Sequence, residues 1–283
     1  MIQLLKPGGD SLQVVTLEEL SASKETLIEA FWIDLLNPEP AEEQFVEKLL
    51  DVNIPSSEEM QEISESSRLF EEDGVLYVSC WVLCFEPVVT VNTSVTFVIT
   101  EKQFVSIRYS DHHAFRIFKS AASRLQKRRF RNSNEALAEL LEAIVGHIAS
   151  NLRLVEQDLN ALSIEIFAEE RAQRKQRKSL GLKRVVQRLG KRSSMIANLR
   201  ESSVSLSSLL SYFRGHAAKA LQAEVADRLK TLDRDIRSLR EYDAQLSAEA
   251  NFLLDSTVGL INFEQNQTMK LLGIAALIAS LIV

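Results

Sequence analysis

The sequence predicts an α+β protein: an N-terminal α/β sandwich domain, then a long helical hairpin, then a long stalk helix that enters a membrane. All five prolines precede residue 88, so the rest of the chain can form long uninterrupted helices. From Ser133 onward, apolar residues recur every three or four positions, which is the period of an amphipathic helix. After Lys270 the chain carries no further charge and is almost wholly apolar.

Short apolar runs separated by turn residues predict a sheet covered by helices in the first part of the chain. Strands are predicted at residues 2–5, 12–15, 31–35, 75–85, 93–100 and 103–109. The first two flank a turn at 7–10, and the later ones are rich in Val, Phe, Tyr and Ile. Helices are predicted near 40–52 and from Asp111 to about 127. A further helix is predicted to begin at Ser56, because Ser56 and Glu59 have the spacing of a capping box.

Three long helices are predicted after residue 133. The first carries an apolar stripe from Leu137 to Ile166 and is expected to exceed about forty residues. The second is predicted to start after Gly181, and Gly215 marks the turn before the third. Unbroken to the last residue, the third would hold about 68 residues and extend about 100 Å. Helices of this length form coiled coils or lead into membranes.

The apolar C-terminal end predicts the beginning of a transmembrane helix. About 20 apolar residues are needed to cross a bilayer, whereas residues 271–283 cover about 20 Å by helical rise. A buried core helix or an amphipathic anchor is the alternative, but an anchor needs a polar face, and Ser280 is the one polar residue here. We therefore expect the sequence to stop inside a membrane helix. The predicted domains are 1–132, 133–268 and 269–283.

Composition and charge give no indication of a nucleic-acid-binding or disulfide-linked protein. The chain has 283 residues, 46% of them hydrophobic and 25% charged, and a net charge of −6, which gives no general attraction to nucleic acid. No signal peptide is apparent, which predicts a cytoplasmic N-terminus. Cys80 and Cys84 lie in an apolar run and are predicted to be buried free thiols.

Four segments in order resemble the CorA family of divalent-metal channels. They are Phe31-Trp32-Ile33-Asp34-Leu35 with Asn37-Pro38 and Glu42-Glu43, the turn at 67–74, the strand at 92–99, and the segment Gly259-Leu260-Ile261-Asn262-Phe263-Glu264-Gln265-Asn266-Gln267-Thr268-Met269-Lys270-Leu271-Leu272. The last resembles the place where the family's stalk helix enters the membrane as the pore-lining helix. The family's Gly-Met-Asn signature and second membrane helix are absent from these residues, which fits the expected truncation.

The resemblance implies a pore face on the third long helix. Steps of three and four residues bring five positions to one side of it: Asn266, Met269, Leu272, Ala276 and Ser280. Because CorA channels are homopentamers, each position would form a ring of five. Amide oxygens of Asn266 would suit hydrated magnesium, and Met269 with Leu272 would form an apolar gate. The alternative is that Met269 and Leu272 are ordinary lipid-facing or helix-facing residues.

The resemblance also implies acidic residues between subunits that bind intracellular metal and close the channel. Asp255 matches one of these acids, whereas Thr231 stands where another is usual, with Asp233 and Asp235 nearby. Loss of the metal would then shift the population toward the open state. The alternative is that these aspartates form a solvated helix face.

A basic cluster flanks the turn predicted at Gly181. Its candidate membrane-surface residues are Arg174, Lys175, Arg177, Lys178, Lys183 and Arg184. In CorA proteins this hairpin hangs toward the membrane, where basic side chains could touch anionic headgroups. A solvated charged face is the alternative, while nucleic-acid binding lacks an accompanying aromatic or glycine-rich pattern.

No catalytic motif accompanies the four histidines, of which His112 and His113 are predicted to be solvated. We therefore expect no enzyme and no organic cofactor.

The expected function is passive influx of magnesium, and also of cobalt or nickel, driven by the potential across the inner membrane and gated by intracellular metal. Magnesium is the substrate and a regulatory ligand; the partners are further copies of the chain, the bilayer and divalent ions, with no nucleic acid. The alternatives are a zinc transporter of the ZntB branch and a membrane-tethered coiled-coil scaffold.

Overall fold

The computed structural model describes residues 1–7, 13–61, 64–85, 90–124, 130–168, 178–217 and 221–282. Seven strands in these ranges form one sheet: β1 Ile2–Leu5, β2 Gln13–Val15, β3 Trp32–Leu36, β4 Leu69–Glu72, β5 Val75–Phe85, β6 Thr90–Ile99 and β7 Phe104–Arg108. Their spatial order is β2-β1-β3-β7-β6-β5-β4. The β3–β7 pair is parallel, and the other neighbouring pairs are antiparallel.

Helices cover both faces of this sheet, as the predicted sandwich requires. The helices before β5 are α1 Leu17–Ala22, α2 Glu25–Ile28, α3 Pro40–Leu50, a 3₁₀ turn Glu59–Gln61 and α4 Glu65–Arg68; α5 His113–Arg124 follows β7. Ile33 of β3 and Ile107 of β7 pack with Leu27 and Val46 in one core. On the other face, the Trp32 ring contacts Phe118 of α5 at 5.0 Å between ring centroids.

Local side-chain chemistry explains where the helices near the sheet begin. Glu39 and Glu42 form a reciprocal cap at the start of α3, and Pro40 occupies the first turn, where its missing N–H costs no hydrogen bond. Ser56 and Glu59 also form the predicted capping box, with Ser56 N–H donating to Glu59 at 2.8 Å. That box opens only a 3₁₀ turn, because no apolar stripe follows it among the described residues.

The long helices are α6 Ser133–Ala168, α7 Lys178–His216 and α8 Ala223–Ile282. The stripe predicted for α6 is buried along its whole length, from Leu137 to Ile166. The prediction that the second helix starts after Gly181 is wrong, because α7 already begins at Lys178 and Gly181 lies inside it. Leu182 is buried immediately after this glycine, and an interior glycine costs a helix only about 1 kcal/mol. Gly215 lies at the end of α7, as predicted.

The chain divides into two compact units, and each long helix contributes to both. The first unit comprises residues 1–150 and 198–240, and the second comprises 151–197 and 241–283. The boundaries predicted at residues 132 and 268 mark changes of secondary structure, whereas these two units are defined by compact packing. The predicted division is therefore untested and stays a prediction.

Hydrogen bonds attach α7 to the sheet inside the first unit. The side-chain amide of Asn92 on β6 donates to the Asn198 carbonyl and to Glu201, both at 2.8 Å. The Trp81 amide on β5 donates to the Ser205 hydroxyl at 2.9 Å. Because β4 pairs only with the first four residues of β5, Ser205 satisfies a backbone donor at an open sheet edge.

The second unit consists of three helical segments packed along leucine stripes. The buried residues of these stripes include Leu159 of α6, Leu189 of α7 and Leu253 of α8. Arg188 of α7 forms an ion pair with Glu165 of α6 at 2.9 Å. The Arg192 Nε atom donates to Asp158 at 2.6 Å, so two ion pairs join α6 and α7 in an antiparallel arrangement.

Candidate functional site

The end of α8 carries the predicted pore face and is exposed on all sides in the single chain. Every residue from Gln265 to Leu281 is exposed, with 67% of Met269 and 84% of Leu281 accessible. At 100° per residue, the five predicted positions lie within an arc of about 120°. So large an uncovered apolar surface is typical of a segment that contacts lipid or other protein chains.

The polar part of this face is longer than the sequence analysis recognised. Asn262 lies one helical turn before Asn266, is exposed, and shares the same side of α8. Two amide side chains therefore precede the apolar positions Met269 and Leu272. The spacing of four residues could have revealed this second amide.

The predicted regulatory aspartates occupy different environments. Asp233 is 15% exposed, and its carboxylate lies 2.7 Å from Arg237 and 3.5 Å from Arg214. Asp235 is exposed and points about 200° away from Asp233 around the helix. Asp255 belongs to the second unit and is also exposed. These carboxylates are therefore not assembled into one site within a chain, and their metal binding stays a prediction.

Asp235 lines an acidic groove within the first unit. The groove has a volume of about 520 Å³ and also contains Glu142, Glu224 and Asp227. Arg228 crosses it and donates to Glu142 at 2.8 Å, which neutralises part of the negative charge. Across the described ranges, no group of three or more His, Cys, Asp or Glu side chains is arranged to hold a metal ion.

The predicted basic tip falls partly outside the described residues. Arg174, Lys175 and Arg177 lie outside them, and Lys178 is the first residue of α7. Lys183 and Arg184 are exposed on α7. Basic residues farther along this helix, such as Arg188, instead pair with α6.

A buried charged network that the sequence analysis did not recognise lies between β3, β7 and α5. The Arg108 guanidinium donates to both oxygens of Asp34, at 2.9 and 2.7 Å, and neither side chain is exposed. Ser106 donates to Asp34 at 2.8 Å and accepts a hydrogen bond from Trp32 at 2.8 Å. Lys119 approaches the same carboxylate at 3.7 Å. In the sequence, the one indication of this network is Asp34, an acidic residue inside the otherwise apolar strand β3.

The prediction that His112 is solvated is wrong, because α5 packs His112 against the sheet. His112 is fully buried, and its Nε2 atom lies 2.7 Å from the Thr93 hydroxyl. Burial lowers the pKa of His112 to about 4, and the nearby positive charge of Arg108 acts in the same direction. His113 is exposed, as predicted, and its ring lies 5.1 Å from that of His147.

Both cysteines are buried free thiols, as predicted. Burial raises the pKa of Cys80 to about 12, so its thiol stays protonated and unreactive at neutral pH. Among the helices of the described chain, none combines the length and the apolar character needed to span a bilayer.

Comparison with known proteins identifies the family. The model of the family described as CorA-like Mg²⁺ transporter protein matches residues 29–281. The magnesium transport protein CorA of Mannheimia succiniciproducens is 27% identical over 89% of this chain and 77% of its own length.

Solved structures show the same fold. The complete CorA magnesium transporter of Methanocaldococcus jannaschii superposes with a TM-score of 0.74 at 17% identity, over 98% of this chain and 83% of that one. The ZntB cytoplasmic domain of Vibrio parahaemolyticus superposes with a TM-score of 0.59 at 11% identity, over 83% of this chain and 88% of that one. This chain belongs to the family of CorA-like Mg²⁺ transporter proteins.

Proposed function

We propose that the chain is a subunit of a magnesium transporter whose ion pathway is lined by the Asn266 face of α8. The observation that supports this most is that the family match continues to residue 281, through the exposed end of α8. Proteins of this family are ion transporters rather than enzymes, so the chemistry concerns hydration and charge and not catalysis. Magnesium is the substrate, and the proposal includes no organic cofactor.

A homopentamer would turn each position of the face into a ring. Rings of Asn262 and Asn266 present amide oxygens, which suit a hard cation that gives up its water reluctantly. Rings of Met269 and Leu272 would form an apolar constriction that conducts only when wetted. Beyond them, Ala276 and Ser280 are small and leave a wider passage.

The energy for influx would come from the potential across the inner membrane, with the sheet on the cytoplasmic side. A potential of 100 mV contributes about 2.3 kcal/mol per elementary charge, and therefore about twice that for a divalent ion. Cobalt and nickel, which are divalent cations as well, would share the pathway. The exposed Lys183 and Arg184 would face anionic headgroups.

Intracellular metal would close the channel by linking carboxylates of adjacent subunits. Asp235 and Asp255 are the better candidates, because both are exposed in the single chain and so remain free to meet a carboxylate of another copy. Asp233 is less suited, because two guanidinium groups already compensate its charge. When the metal dissociates, repulsion between the carboxylates would favour the open state.

Zinc transport coupled to protons is the second candidate function. Its support is the likeness to the ZntB cytoplasmic domain, and this likeness is weaker than that to the CorA transporter. A coiled-coil scaffold without conduction is the third candidate, and only the length of the helices favours it.

The test is ion flux into liposomes that contain the protein, under an inside-negative potential, with and without a pH gradient. We expect magnesium entry that is independent of the pH gradient. Asn266→Ala should slow entry about tenfold, if each ion loses about 1.4 kcal/mol of amide interaction. Gln267→Ala, on the opposite side of α8, is the control. Zinc entry that follows the proton gradient would favour the ZntB function, and no flux through folded, inserted protein would contradict transport.

A further inference from the structure

A second groove, within the first unit, lies between the C-terminal end of α7 and the beginning of α8. Its volume is about 510 Å³. The polar residues that line it are Ser207, Ser211 and Arg214 from α7, and Lys230, Asp233 and Arg237 from α8. None of the transport steps proposed above uses this groove as a binding pocket.

Positive charge predominates in this groove. Three cationic side chains line it, whereas Asp233 is its one carboxylate; Lys230 also pairs with Asp227, outside the groove, at 3.0 Å. Asp233 is held at 2.7 Å by Arg237 and at 3.5 Å by Arg214, so it is shared between two guanidinium groups. Each guanidinium has five N–H donors, and most of them stay available to a ligand. Arg237 is 68% exposed and can turn toward a ligand without loss of packing.

Hydroxyl donors complete the wall opposite α8. Ser207 and Ser211 lie one helical turn apart, and no hydrogen bond between described residues engages either hydroxyl. Guanidinium groups bind phosphate oxygens through paired N–H donors, and hydroxyl and ammonium groups add single contacts. Such a set of donors with few acceptors is typical of a site for phosphate groups.

We propose that this groove binds a small soluble anion with several phosphate groups, of the size of a nucleoside polyphosphate. Its volume lies within the range of about 300–1,000 Å³ that is usual for small-molecule sites, and one inorganic phosphate would fill only part of it. Leu221 and Ala226 form an apolar wall against which the nucleoside part can pack. The bound ligand would connect Arg214 of α7 with Lys230 and Arg237 of α8.

The experiment is calorimetric titration of the full chain with ATP, pyrophosphate, phosphate and adenosine, all free of magnesium. We expect ATP to bind more tightly than pyrophosphate and pyrophosphate more tightly than phosphate, with adenosine weakest. Added salt should weaken the binding, because charge attraction drives it. A chain that binds adenosine as tightly as ATP, or that binds none of the phosphates, would overturn the proposal.

Matched variants locate the site. Arg214→Gln and Lys230→Gln should each weaken ATP binding about tenfold or more, whereas Arg234→Gln should not, because Arg234 is exposed on α8 outside the groove. Circular dichroism shows whether each variant is folded. Lys230 is more than half exposed, so its replacement tests the site even if Arg214→Gln unfolds the chain. Equal losses in the groove variants and in the control would contradict a site in this groove.

Discussion

At the scale of single residues, the Asp34–Arg108 pair shows how two buried charges fix the relation of two strands. In the parallel pairing of β3 with β7, Asp34 lies opposite Ser106, and Leu36 lies opposite Arg108. Arg108 is two residues beyond Ser106, so its side chain projects from the same face of the sheet as that of Asp34. The guanidinium also lies over the Phe115 ring at 4.3 Å. A shifted register would bury both charges without partners, so the pair favours a single alignment of β3 and β7.

We predict that Asp34→Asn destabilises the fold by about 3–5 kcal/mol, because it removes the buried carboxylate that accepts two hydrogen bonds from Arg108. Asp111→Asn is the control: its carboxylate is nearly half exposed and lies 3.4 Å from Arg108, so we expect a loss below about 1 kcal/mol. Urea denaturation of the two variants measures both values. Equal losses of stability in the two variants would show that the buried Asp34–Arg108 pair contributes no more to folding than the partly exposed Asp111 contact.

Buried histidines predict a fold that weakens in acid. The pKa values of His112 and His147 are both lowered to about 4, chiefly by burial, whereas an unfolded chain binds these protons near 6.5. The unfolded state therefore takes up more protons below pH 6.5, and stability falls as the pH drops toward 4.

Between pH 6.5 and pH 5, the loss should be about 1.6 kcal/mol for each histidine. Denaturation of the wild type and of His112→Gln at several pH values measures it. The variant should show a smaller dependence on pH, even if it is less stable at pH 7. An unchanged slope would mean that His112 is protonated equally in both states.

At the scale of elements, apolar periodicity predicted the long helices well and their boundaries less well. The stripes of α6 and α7 are buried where the pattern indicated. Gly181 was taken as a boundary because glycine often ends helices, but α7 begins three residues earlier, at Lys178, so Gly181 lies in its first turn, where a glycine costs only about 1 kcal/mol.

We predict that the contact between β6 and α7 depends on Asn92. Besides donating two hydrogen bonds, Asn92 accepts one from the buried Ser202 hydroxyl at 3.3 Å. Asn92→Ala should therefore cost about 1–3 kcal/mol of stability, because buried polar groups lose their partners. Asn160→Ala, at an exposed position of α6, should cost less than about 0.5 kcal/mol. Thermal or urea unfolding compares the two, and similar losses would contradict the prediction.

At the scale of the whole molecule, the exposed end of α8 determines what the protein must associate with. Leu271, Leu277, Ile278 and Leu281 are all more than half exposed in the single chain. Water does not favour so continuous an apolar surface, so lipid or further copies of the chain are expected to cover it.

We predict that Leu277→Lys weakens association of the chain with liposomes by roughly 100-fold, because a charge deep in the bilayer costs about 2.5–3.5 kcal/mol. Leu154→Lys is the control, since Leu154 is an exposed leucine on α6, far from the apolar end in sequence. Flotation of the protein with liposomes measures the association. Equal effects of the two substitutions would show that the end of α8 does not enter the bilayer.

The sequence by itself determined most of the strands and the long helices, because apolar periodicity and turn residues are local properties; it did not indicate β4 or the short helices α1, α2 and α4. It determined six of the seven described strands, although not β4, and it determined the buried stripes of α6 and α7, the free thiols and the apolar end of α8. The family resemblance, now confirmed by the match over residues 29–281, also followed from sequence.

Only the tertiary structure decided which distant side chains meet. Asp34 and Arg108 are 74 residues apart, and Asn92 and Glu201 are 109 apart, so no local pattern could pair them. The same holds for the burial of His112 by α5 and for the basic groove between α7 and α8. Such contacts arise from packing, in which the position of each element depends on all the others and not on its own residues.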